Sequence, residues 1–167
     1  MIKRIKYIPL IAIIVLFSSC SFKSRTTPYI HIVNSAINSA TPVGKKVLKM
    51  AHKMAYNRSV VIRGSCWNYI DVIYKKAGFK GYKNSRIVFN SNKGGPYIEV
   101  NMIQSGDWIY YINHSYHNVE HSAIFVAWLN YSQKKALMLS YSGKGRVPAR
   151  YKVYNLSSVY RIKRGRL

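Results

Sequence analysis

An α+β fold, with helices leading a mainly antiparallel sheet, is what this sequence predicts, on three observations. Two segments with helical spacing, 43–56 and 65–78, come first. Five short runs rich in β-branched and aromatic residues follow them, separated by turn-forming residues. Strands and helices do not alternate, as they would in a parallel sheet. The 167 residues are 49% hydrophobic and 19% charged, enough apolar material for one packed domain.

Charge narrows the chemistry. Against 27 Lys and Arg stand only Asp71, Glu99, Asp107 and Glu120, for a net charge of +23. An EF-hand, a two-metal carboxylate cluster or a glycosidase carboxylate pair has almost nothing to be built from. No Cys or His spacing fits a metal site either, so metal-free and cofactor-free chemistry is expected.

The N-terminal segment has the layout of an export signal: Lys3, Arg4 and Lys6, then an apolar run over 8–17, then Ser18-Ser19-Cys20. The run is far shorter than the roughly 20 residues of a membrane span. The small pair before the cysteine resembles the lipobox of bacterial lipoproteins, although Phe17 stands where that pattern usually has Leu. The resemblance implies a signal peptide over 1–19 and a lipidated Cys20; ordinary cleavage, leaving Cys20 a free thiol, is the alternative. Ser21, which is not acidic, points to the outer membrane, with the protein on its periplasmic side. In that compartment the partners of so basic a body are the membrane and anionic envelope polymers, not nucleic acid.

The body follows in order. Residues 20–42, polar and punctuated by Pro28 and Pro42, read as a tether, and 43–167 as the domain. Val43, Val47, Met50, Ala51, Met54 and Ala55 fall on one helical face. The next helix opens at Ser65-Cys66 and carries Trp67, Ile70, Ile73, Tyr74 and Ala77; it ends in Lys75-Lys76 with Gly78 as its stop. The stretch to Gly95-Pro96 reads as a loop with one apolar patch, 87–89. Strands are expected over 108–112, 121–129, 135–141, 149–154 and 158–163. Trp67, Trp108 and Trp128 sit inside apolar runs and read as core.

Cys66 opens a helix, where unsatisfied N–H groups and the dipole stabilise a thiolate, and Arg63 adds positive charge. A buried packing thiol is the alternative. A nucleophilic thiol needs a base, and His31, His52, His114, His117 and His121 are available. His121 alone opens a strongly apolar strand, which fixes its backbone.

Gly64-Ser65-Cys66-Trp67-Asn68-Tyr69-Ile70, the helix end 74–79, Gln104-Ser105-Gly106-Asp107-Trp108 and His121 follow one another in an order that resembles the NlpC-type cell-wall peptidases and the related CHAP amidases. The resemblance covers about 43–143. It implies a papain-like α+β fold, Cys66 as nucleophile, His121 as general base, and cleavage of peptidoglycan amide bonds through an acyl-enzyme. It also implies a polar orienting residue on the strand after His121, where Ser140 is the positional match and Asn118 and Glu120 are fallbacks. Tyr56 matches a site tyrosine of that family, with helix packing as its other reading. Ser65, Trp67 and Asn68 depart from the NlpC pattern around the nucleophile. A serine orienter adds no charge, so a catalytically inactive lipoprotein that binds anionic polymers or lipids through its basic surface is the competing expectation.

Overall fold

A computed structural model describes residues 28–143 and 147–166. The signal peptide expected over 1–19 and the lipidation expected at Cys20 lie outside the described residues. Three helices pack on one six-stranded antiparallel sheet, as the sequence predicts in outline. Among the described residues no helix is long and apolar enough to cross a membrane.

Part of the expected tether is folded. Ile30–Ser39 forms helix α1, because Val33 and Ala36 are buried and Tyr29, Ile32, Ile37 and Ala40 pack beside them. This apolar stripe has helical spacing but is diluted by Asn and Ser, which hides it in the composition. Helix α2, Pro42–His52, starts at Thr41, whose Oγ1 accepts the Gly44 N–H at 3.2 Å. It runs into a single π-helical turn, Lys53–Asn57. That turn brings Tyr56 flat against His52, with ring centroids 5.4 Å apart, and Tyr151 stacks on Tyr56 at 5.0 Å.

His52 Nδ1 lies 3.0 Å from the Tyr151 hydroxyl, and burial holds the imidazole below its ordinary pKa of 6.5. The folded protein therefore keeps His52 neutral while the unfolded chain takes up a proton, so stability is lost as pH falls below about 6.5. Urea midpoints at pH 7.5 and 5.5 are expected to differ more in wild type than in His52→Gln.

Helix α3, Cys66–Lys76, buries Tyr69, Ile70, Ile73 and Tyr74. The Tyr74 hydroxyl donates to the Gly106 carbonyl at 2.9 Å and so ties the helix to the start of β2.

The strands are β1 Arg86–Asn90, β2 Trp108–Asn113, β3 Val119–Asn130, β4 Lys135–Ser140, β5 Arg150–Asn155 and β6 Val159–Arg164. Strand β1 is the apolar patch of the expected loop; it becomes a strand because β6 offers it an edge. The sheet order is β1-β6-β2-β3-β4-β5, so β5 and β6 are separated by three strands yet joined by only three residues. In a flat sheet the gap would be about 19 Å at ~4.8 Å per strand. Four Cα steps span at most about 14 Å. The sheet must therefore curl toward a half-barrel.

Curling divides the interior in two. Trp108, Tyr110, Ile124, Val126, Leu137 and Leu139 face the helices, whereas Ile109, Tyr111, Ala123, Phe125, Met138 and Ile162 fill the opposite face. Strand alternation assigns each side chain to one core or the other. Trp108 is fully buried; Trp128 packs on Phe125 at 5.1 Å, and Trp67 rests partly exposed against Tyr82 and Trp108.

Candidate active site

Cys66 is aimed by the turn before it. Asn68 Oδ1 accepts the Ser65 N–H at 2.9 Å and the Ser65 hydroxyl at 3.0 Å, folding the N-cap back on the first turn. Gly64 has φ +127°, and a Cβ there would run into the Asn68 side chain. The first helical bond is Tyr69 N–H to the Ser65 carbonyl, so the N–H groups just before Tyr69, that of Cys66 included, have no acceptor within the helix. Asn68, a departure from the family pattern, thus serves as the cap that holds the thiol in place.

Strand β3 outruns its neighbour. The β3–β4 ladder begins at Ile124↔Leu139, which frees one edge of β3 over Val119–Ala123. The Cys66 thiol lies against this edge. The Ser122 hydroxyl donates to Sγ at 3.5 Å, and the His121 side chain lies close enough to the sulfur to lower its pKa. Successive strand residues point to opposite faces, so a sulfur that feels both 121 and 122 fits a place at the edge of the sheet.

His121 stands at the mouth of the curled face. Its register partner is Tyr111, whose ring meets the imidazole edge-on at 5.7 Å. His121 Nε2 lies 2.8 Å from Ser140 Oγ, and the Tyr154 hydroxyl donates to that same oxygen at 3.1 Å. With Nε2 engaged by Ser140, the ring nitrogen left for the thiol is Nδ1. Burial pushes the Cys66 thiol up, but the bonds from His121 and Ser122 and the charge of His121 outweigh it, leaving the pKa lowered to about 7.

Cys66, His121 and Ser140 are thus brought together. The fallback orienters are not. Asn118 Oδ1 is 2.8 Å from His114 Nδ1, and Glu120 accepts from the Tyr160 hydroxyl and pairs with Lys93 at 2.6 Å. Tyr56 is held in the His52–Tyr151 stack, His31 and His117 are exposed, and His114 pins its loop to Ser158 at 2.6 Å.

No family model, no curated protein and no solved structure matches this chain. Its chemistry is read from its own geometry. Two polar groups at the site, Ser122 and Tyr154, were not singled out in the sequence. Ser122 carried a signal, being a hydroxyl next to His121 at a buried position of an apolar strand, 3% exposed. Tyr154 carried none: it pairs opposite Ala136, on the same face of β4 as Ser140, and only its long side chain in the folded sheet carries the hydroxyl to Ser140.

Removing the Ser140 hydroxyl leaves Nε2 without its partner. Ser140→Ala is expected to slow alkylation of Cys66 at pH 6 by about tenfold, the equivalent of one hydrogen bond worth ~1 kcal/mol or slightly more. Tyr154→Phe, which keeps the ring packing, is expected to have a smaller effect in the same direction. Iodoacetamide rates across a pH series check both.

Proposed function

We propose that the chain is an envelope cysteine hydrolase on a papain-like scaffold of the NlpC and CHAP kind, anchored through Cys20 and cleaving amide bonds of peptidoglycan. The observation that carries this reading is a helix-opening thiol whose pKa is lowered to about 7 by a neighbouring imidazole that is itself engaged by Ser140. A buried packing cysteine has no need of that constellation.

In the proposed mechanism His121 Nδ1 takes the thiol proton and Cys66 Sγ attacks the scissile carbonyl carbon. The Cys66 N–H, which has no acceptor within the helix, donates to the developing oxyanion. As the carbon–nitrogen bond breaks, His121 gives the proton to the departing amine. It then takes a proton from the water that attacks the thioester, and returns it to the sulfur as the acid leaves. Ser140 Oγ accepts a hydrogen bond from the Nε2–H while the imidazole is charged, without supplying a counter-charge, so turnover is expected to be modest.

Zymography on purified sacculi tests the reading. Wild type is expected to release soluble muropeptides and Cys66→Ala to release none. Equal release by both, or release by neither, sinks the hydrolase and favours the inactive, polymer-binding alternative.

A further inference from the structure

At the opposite end of α3 from Cys66, about 16 Å away at 1.5 Å per residue over its 11 residues, lies an open cavity of about 470 Å³. Lys80, Lys83, Arg86 and Arg166 line it, over a floor that includes Phe79 and Ser85. Among the described residues no carboxylate side chain is in its lining. The nearby acids are engaged: Asp71 pairs with Lys75 at 2.7 Å, and Asp107 with Arg164 at 2.7 Å.

The backbone that carries these cations is pinned from beneath. Asp71 Oδ1 accepts the Tyr82 N–H at 2.7 Å, while the Tyr82 carbonyl accepts from Lys163 Nζ at 2.7 Å and from Ser85 Oγ at 2.8 Å. Lys163 is only 4% exposed and its ammonium sits over the Tyr82 ring, 2.9 Å from the centroid. Gly81, at φ +73°, admits the close approach, since a Cβ there would strike Asp71 and Lys75. Arg86 is held by register opposite Arg164, whose own charge is taken up by Asp107. The backbone is thus fixed while the side chains of Lys80, Lys83, Arg86 and Arg166 are exposed and free to close on an anion.

We propose that this cavity is a binding site for a multiply charged phosphate group, either a phosphomonoester or a diphosphate. A single carboxylate carries too little charge for a cavity lined by four cations, whereas a phosphate brings two or more charges, and its oxygens can be bound in pairs by the planar guanidinium groups of arginines. The class of ligand follows from the charge and residue types of the lining and is independent of the hydrolase reading.

Isothermal titration of the purified protein with inorganic pyrophosphate tests it, with citrate as a carboxylate probe of similar charge. Saturable binding of pyrophosphate is expected, at least about tenfold tighter than citrate. Lys83→Ala/Arg86→Ala is expected to weaken it about tenfold or more, while Lys46→Ala/Lys49→Ala on α2 removes the same charge and leaves it within about twofold. Equal binding of the two anions, or equal losses in the two variants, overturns the site in favour of diffuse charge. Sedimentation with phosphatidic acid vesicles identifies the source of the phosphate. Pyrophosphate-competed pelleting that the cavity variant loses assigns a lipid headgroup, and titration without pelleting assigns a soluble phosphate.

Discussion

Replacing His121 with alanine is expected to raise the pH midpoint of Cys66 alkylation from about 7 toward that of an ordinary thiol, and to cut hydrolysis of sacculi by about 10²–10⁴-fold. The direction follows from the balance at the sulfur. Burial alone would raise the pKa, and the imidazole is the main group opposing it; Ser122 remains in the variant and prevents a full return. The loss of rate follows because His121 is also the acid that protonates the leaving amine, a role the Ser122 hydroxyl does not fill. A His121→Ala variant that alkylates with the wild-type profile would show the two side chains to be uncoupled. Circular dichroism should be unchanged, since His121 is half-buried at the sheet's mouth and not in either core.

Asp107→Ala is expected to destabilise the fold by about 3–5 kcal/mol, a large share of the 5–15 kcal/mol typical of a domain. The Asp107 carboxylate is 1% exposed and takes two bonds from Arg164, Nε to Oδ1 and an Nη to Oδ2, each at 2.7 Å, and one from the Gln104 N–H at 2.8 Å. Its removal strands a guanidinium whose side chain is only 14% exposed and opens the turn that leads into β2. Equilibrium urea unfolding should show a much lower midpoint with an unchanged slope. Because part of the cost is the abandoned charge, Asp107→Ala/Arg164→Ala should be more stable than the sum of the single losses predicts.

The elements carried by strong local signals were legible. Helix α3 announced itself through Ser65, Lys75-Lys76 and Gly78, and β2 to β6 through β-branched and aromatic runs between turns. Helix α1 was not, because its stripe of Val33 and Ala36 is thin and the surrounding Asn and Ser read as linker. Strand β1 was not, because five half-exposed residues form a strand only when β6 supplies the edge. At the site, Cys66 was marked by its place at a helix start and His121 by the apolar strand it opens. Choosing Ser140 over Asn118 and Glu120 depended on register, which no local pattern fixes.

The sequence by itself determined the order of helices and strands, the intense positive charge and the two side chains suited to thiol chemistry, because these follow from local periodicity and residue type. Only the tertiary structure decided that β3 outruns β4, that Cys66 occupies the edge this frees, and that Ser140 and Tyr154 stand behind His121. These contacts join residues far apart in the chain. They depend on strand register and on the packing of α3 against β3, which no local pattern fixes.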